Sequence, residues 1–182
     1  TQDLTLLAYF KFNKFPFVIS RFSNFYGPHQ QPHRIIPKTL YCIFNKKKLS
    51  LHGGGKAIRS FIYIDDFCDG IYKSMTKGKP GEVYNFTNRE YVSIVWLIKK
   101  ICFLTKANFN KLVKISKDRP TKDPSYKMNP RKAEKNLNWK PKYSIEEGLK
   151  NTIDWYKTNK NKTSILRKVY VHKPWYEREI CK

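Results

Sequence analysis

The stretch Ser20–Pro32, SRFSNFYGPHQQP, follows the apolar run FPFVIS and turns abruptly polar. FPFVIS has the short apolar profile of a buried strand. The Asn, Tyr, Gly and Pro behind it mark the end of that strand and the opening of a loop. In an open α/β sheet this is where ligands are met.

Outward from that point the chain alternates helix and strand patterns, as α/β proteins do. Before it, Asp3 to Asn13 reads as a helix with its apolar positions along one side. After it come a helix at Ile35 to Phe44, a strand in KLSLH and a strand at Ser60 to Ile64. Asp65 is the expected N-cap of the next helix, DFCDGIYKSM. The strand VYNF, a helix from Val92 to Thr105 and the strand KLVKIS complete the alternation. Asn129 before Pro130 signals a short helix over RKAEKNLN. Ser144 and Glu147 have capping-box spacing ahead of a helix in which Ile145, Leu149, Ile153 and Tyr156 share a stripe.

The 182 residues, 40% hydrophobic and 15% aromatic, suffice for one domain with a real core. No run approaches the length of a membrane span and no leader pattern opens the chain, so a soluble, cytoplasmic protein with no membrane partner is expected. Thr rather than Met at position 1 suggests a fragment or a processed product. Cys42, Cys68, Cys102 and Cys181 are scattered, which fits reduced thiols better than zinc or a disulfide scaffold. His29, His33, His52 and His172 have no ligand spacing, and no metal is expected.

The net charge is +23, from 37 Lys+Arg against 14 Asp+Glu. Such a field attracts polyanions and phosphorylated ligands. Lysine is nevertheless spread through KNLNWKPK, YKTNKNKTS and NKKK without a dense arm, so nucleic-acid binding is disfavoured. That reading would need the lysines gathered on one face. The glycine triplet in HGGGK lacks the GxGxxG spacing and is weak evidence for a phosphate cradle.

Six pieces in order carry a resemblance: RFSNFYGP at Arg21–Pro28, RIIP at Arg34–Pro37, GGGKAIRSFIYIDD at Gly53–Asp66, GEVYNF at Gly81–Phe86, DRPTKDPSY at Asp118–Tyr126, and LNWKPKYSIEEGLKNTIDWY at Leu137–Tyr156. Together they resemble the extended short-chain dehydrogenase/reductases of nucleotide sugars, the NAD-dependent epimerase/dehydratase family. Through YGPHQQP and DRPTKDPSYKM they are most similar to its dTDP-glucose 4,6-dehydratase branch.

The resemblance implies an incomplete Rossmann-like α/β fold: the C-terminal strands of the parallel sheet plus a small α/β substrate domain. Residues 1–160 would form that half, and 161–182 a basic tail. In the register set by AYFKFNKFP, the family's catalytic Tyr-x-x-x-Lys and its Asp/Glu pair fall ahead of residue 1. This chain is therefore expected to contribute the nucleotide-sugar site and to be inactive alone. Intact relatives use NAD, bind a dTDP-sugar or other nucleotide sugar, and form homodimers.

Residue by residue, the resemblance places Arg59 and Arg119 on the diphosphate, where guanidinium forks suit paired phosphates. It places Asn24 and Asn85 on the substrate side, and Arg34, Ile35, Ile36 and Pro37 around the base. Tyr126 becomes a ring beside the nucleotide, and Arg21 and Tyr26 lie on the cofactor side. His33-Arg34 and Phe25 depart from the branch, which more often has Glu-Lys and a second Asn there. Asp65 and Asp66 could pass for a catalytic pair, but adjacent residues at a helix start point apart. Rival readings are a UDP-glucuronate decarboxylase, a nucleotide-sugar epimerase, or a non-catalytic basic binding module with an uncovered apolar face.

Overall fold

A computed structural model describes residues 2–118 and 123–159. The expected boundary near residue 160 and the tail at 161–182 lie outside the described residues. In chain order the elements are α1 (Gln2–Asn13), β1 (Ile19–Phe22), β2 (Asn24–Tyr26), α2 (Ile35–Phe44), β3 (Leu49–His52), a 3-10 turn (Gly53–Gly55), β4 (Ile58–Tyr63), α3 (Ile64–Lys77), β5 (Val83–Phe86), β6 (Tyr91–Ser93), α4 (Ile94–Thr105), α5 (Phe109–Leu112), β7 (Val113–Ser116), α6 (Arg131–Leu137) and α7 (Ile145–Thr158).

The opening stretch does not simply end as a strand. β1 and β2 are separated by Ser23 alone, and they pair with different neighbours. β1 runs parallel to β5, with Ile19 opposite Val83 and Phe22 opposite Phe86. β2 runs parallel to β4, with Asn24 opposite Phe61 and Tyr26 opposite Tyr63. The amide of Ser23 still donates to the Phe86 carbonyl at 3.0 Å, so the switch of partner happens within one residue. The expected loop at Asn24 is thus a strand, because β4 offers it a second ladder.

On its other side β4 takes β6 antiparallel, with Arg59 opposite Val92. Its first residue, Ile58, also bridges Ser125. β3 and β7 form a separate parallel pair.

Three apolar clusters hold these pieces. One joins Tyr26, Leu40, Phe61, Leu97, Leu149 and Ile153, binding α2, α4 and α7 to β4. A second joins Cys42, Leu49, Leu51, Ile98, Cys102 and Leu112. A third packs Ile62, Tyr84, Phe86 and Trp139 with α6. The Trp139 indole donates to the Asp66 carbonyl, and the Asp66 carboxylate accepts from the amides of Lys142 (2.8 Å) and Tyr143 (3.2 Å). Asp66 therefore pins the approach to α7 onto α3.

Four local expectations change. The N-cap of α3 is Tyr63, and Asp65 lies in the first turn, where a carboxylate still complements the helix dipole. Val92 is in β6, drawn into pairing with β4, and α4 starts at Ile94 behind the Ser93 cap. Asn129 accepts from the Arg131 amide at 3.0 Å, one residue before the N-cap, Pro130. α1 is apolar all round rather than on one side, and it buries no residue fully. Leu4 is 71% exposed and Phe12 76%.

Candidate functional site

A cavity of about 1000 Å³ opens where the chain passes from β1 to β2. Its lining comes from both sides of the switch, from the start of α2, from β3 and from β4, so it needs three separate strand pairings to exist. Phe22, Phe25 and Phe67 form an aromatic wall, with Phe67 centroids 4.4 Å from Phe22 and 4.5 Å from Phe25. Three cations, Arg34, Lys38 and Arg59, face it, and no Asp or Glu is among the lining residues. A concave, partly apolar site with unopposed cations concentrates an anionic ligand.

Asn24 reaches this space from β2. Its Nδ2 donates to the Ser60 carbonyl at 3.1 Å and to the Tyr126 hydroxyl at 3.2 Å. Beneath it Thr87 donates to Ser60 Oγ (2.8 Å) and Ser60 to Asn88 Oδ1 (2.8 Å), a buried chain that fixes the strand carrying Asn24's partner. Arg59 donates to the carbonyls of Ile58 (2.7 Å), Asp123 (2.7 Å) and Pro124 (3.4 Å). Gln30 donates to the Phe25 carbonyl at 2.5 Å and holds the loop after β2 over the opening.

Of the residues expected at the site, Asn24, Arg34, Ile35, Ile36, Arg59 and Tyr26 line this cavity. Tyr126 stands beside it, bonded to Asn24. Pro37 is buried and turned to a cleft shared with Thr152, Trp155 and Tyr156. Asn85 sits in β5 opposite Arg21 and is not part of the lining. Arg119 lies outside the described residues. Arg21 forms an ion pair with Asp3 of α1. The Tyr26 hydroxyl is buried and donates to the Ile145 carbonyl at 3.0 Å, and burial with the nearby Glu90 charge pushes its ionisation well above the usual phenol range.

Sequence reasoning missed Ser23, Phe67, Lys38, Ser50 and His52. Ser50 and His52 alternate with buried Leu49 and Leu51, so period-two patterning finds their side of β3. That this side meets the cavity depends on how the β3–β7 pair sits against β4. Ser50 donates to Ser116 Oγ at 3.0 Å, and Ser116 lies 3.0 Å from His52 Nδ1, which ties that wall to β7.

The glycine triplet has φ values of 57°, 62° and 68°, a left-handed turn suited to glycine. At Gly53 the Asp118 carboxylate packs where a Cβ would stand, so the concave side there faces an anion rather than awaiting one. Tyr156 and Lys160 have Tyr-x-x-x-Lys spacing, but the Tyr156 ring stacks on Phe44 within the first core. Among the described residues, no three His, Cys, Asp or Glu side chains gather as a metal site, and no helix is long and apolar enough to cross a membrane.

Residues 1–152 match the family model described as GDP-mannose 4,6 dehydratase. The dTDP-D-glucose 4,6-dehydratase of Homo sapiens is 39% identical over 157 residues, which are 84% of this chain and 45% of the human protein. DesIV, the dTDP-glucose 4,6-dehydratase of Streptomyces venezuelae solved with NAD bound, superposes with a TM-score of 0.87 at 29% identity, covering 90% of this chain and 51% of DesIV. WbmF of Bordetella bronchiseptica, solved with NAD+ and UDP, gives 0.78 at 29% identity, with 91% and 53% covered. The chain thus spans about half the length of the relatives it matches.

Proposed function

This chain belongs to the GDP-mannose 4,6 dehydratase family, and from that premise we propose that its cavity is the nucleotide-sugar half-site of an NAD-dependent dTDP-glucose 4,6-dehydratase. The observation that carries this is the lining: Arg34, Lys38 and Arg59 with no carboxylate, beside an aromatic wall and the amide of Asn24. A nucleoside diphosphate sugar brings two phosphate charges for the cations, a base for the apolar wall near Ile35 and Ile36, and hydroxyls for Asn24. Arg119 joins the diphosphate group in this reading, with Tyr126 beside the nucleotide and Asn85 and Pro37 at the margins. In solution the chain is cytoplasmic, and its unit runs from 1 to 160.

The described residues do not by themselves make a dinucleotide cradle. Arg21 is held by Asp3, and the Tyr26 hydroxyl by Ile145, so neither offers a free group to NAD. What this chain's residues do is bind and orient the nucleotide and exclude water with Phe22, Phe25 and Phe67. The homodimer belongs to the same proposal, with α1 offering Leu4, Tyr9 and Phe12 to a second copy.

Calorimetric titration of the full chain with dTDP-glucose, UDP-glucose and dTDP tests this reading. Saturable heat with dTDP ligands, lost in Arg34→Ala and Arg59→Ala, is expected. Preference for UDP-glucose would turn the reading to an epimerase or decarboxylase. A folded sample giving no heat with any of the three would end it.

A further inference from the structure

The charge that looked dispersed along the sequence is gathered in space. The sequence holds no Asp or Glu from 34 to 64 or from 91 to 117. These two stretches pack on each other through the second core, where Cys42 at the end of α2, Leu49 at the start of β3, Cys102 near the end of α4 and Leu112 at the end of α5 meet. Lys48 Nζ donates to the Lys111 carbonyl at 2.5 Å across that junction. Around it Lys46, Lys47, Lys48, Lys106 and Lys111 are all exposed, and none of the five forms an ion pair among the described residues.

Lysines that follow helices are favoured by the helix dipole, which accounts for Lys46 and Lys106 after α2 and α4. Lys111 likewise stands in the last turn of α5, but the dipole does not account for the exclusion of carboxylates from both stretches. Lys100 is neutralised by Glu146 of α7 at 2.6 Å, which bounds the patch on that side. Within the patch the Phe103 ring is 75% exposed on α4, and Ile115 of β7 is 71% exposed. The Phe103 carbonyl accepts from the Lys106 amide at 3.2 Å, which places the ring, with Lys100 Nζ over one face at 5.6 Å from its centroid, within a turn of the lysine cluster.

We propose that this pole, formed by the C-terminal ends of α2 and α4 and the N-terminal ends of β3 and β7, is a docking surface for single-stranded nucleic acid. Lysines with no competing carboxylate hold successive phosphates, and an exposed aromatic ring is a platform on which a base stacks. The surface is distinct from the cavity. α2 carries Ile35 at the cavity and Phe44 at the pole, and its ten residues separate the two by about 15 Å. The proposal does not rest on the nucleotide-sugar reading.

The experiment is fluorescence anisotropy of the full chain with a labelled single-stranded RNA of about 16 nucleotides, at about 50 and about 200 mM KCl. Three variants accompany it: Lys47→Gln/Lys106→Gln/Lys111→Gln, the same three positions changed to Arg, and Phe103→Ala, each shown folded by its melting curve. Wild type should bind saturably at low salt and weaken steeply at high salt. The Gln variant should lose at least about tenfold in affinity and flatten the log–log salt slope by about 2, while the Arg variant keeps both. Phe103→Ala should lose roughly fivefold or more with the salt slope unchanged. Absence of saturable binding at low salt, Gln and wild-type curves that coincide, or an unaffected Phe103→Ala would overturn the proposal. Tighter binding to phosphatidylserine vesicles than to RNA would overturn it in favour of a membrane surface.

Discussion

The guanidinium of Arg59 lies over the ring of Tyr126, 5.0 Å from its centroid, while its nitrogens bond the carbonyls of Asp123 and Pro124. Because Ile58 also donates its amide to Pro124 at 2.9 Å, Arg59 and the start of β4 together clamp residues 123–126 against the cavity rim. Arg59→Lys keeps the charge but not the planar fork. The expected result is a loss of roughly 1–3 kcal/mol in urea denaturation. Faster hydrogen exchange at the Ile58 amide should accompany it, and unchanged exchange there would show that the clamp does not depend on the fork.

Asn24 donates from the same nitrogen to the Ser60 carbonyl and to the Tyr126 hydroxyl. Asn24→Asp has no proton to give Ser60 and sets a carboxylate against a carbonyl oxygen. It should cost about 1–3 kcal/mol of stability, and it introduces a negative charge into a lining that has none. Calorimetry should therefore find dTDP-glucose binding weaker in Asn24→Asp than in Asn24→Ala. The reverse order would mean that the cations do not set affinity.

What the sequence reveals here is mostly local. The capping box at Ser144 and Glu147 forms as its spacing indicates, because both of its bonds lie within one turn. The strands at Leu49–His52 and Val83–Phe86 are legible for the same reason, their apolar alternation being complete in themselves. Asp65 misleads because an N-cap and a first-turn carboxylate look alike in one dimension, and only backbone angles separate them. Asn24 to Tyr26 reads as loop because its strand character is supplied by β4, more than thirty residues away. Of the cavity, the parts with family motifs were legible, but Ser23, Phe67, Ser50 and His52 become neighbours only through the strand pairings.

Gly148 shows how packing can reverse a propensity. In a helix interior Gly→Ala ordinarily stabilises by about 1 kcal/mol. In α7, however, a Cβ at Gly148 would run into the Tyr26 hydroxyl, with Tyr26 Cζ and a Tyr63 ring carbon both only 2.9 Å away. Gly148→Ala should instead lower stability by roughly 1–3 kcal/mol. Tyr26→Phe, which removes the closest oxygen, should cost less in the Gly148→Ala background than in wild type, giving a double-mutant coupling of about 0.5 kcal/mol or more. Additive losses would place the two residues out of contact.

The pH dependence of stability should separate two carboxyl groups that titrate in opposite senses. Glu147 accepts from the Ser144 hydroxyl (2.7 Å) and amide (2.9 Å), and these bonds hold it below its ordinary value of 4.5. A depressed folded-state value means that its contribution is fully present above 4.5 and is lost as pH falls through the lowered value. Asp66 runs the other way: burial outweighs the two backbone amides it accepts and raises it, so its ionisation works against the fold as pH climbs above the usual range. The wild-type curve mixes the two, but the difference between wild type and Glu147→Gln isolates the first. That difference should be constant near neutral pH and should close in acid, since protonated Glu147 then resembles the glutamine. Melting curves from about pH 3 to about pH 7 measure it, and a gap independent of pH would mean that the capping box draws nothing from the charge of Glu147.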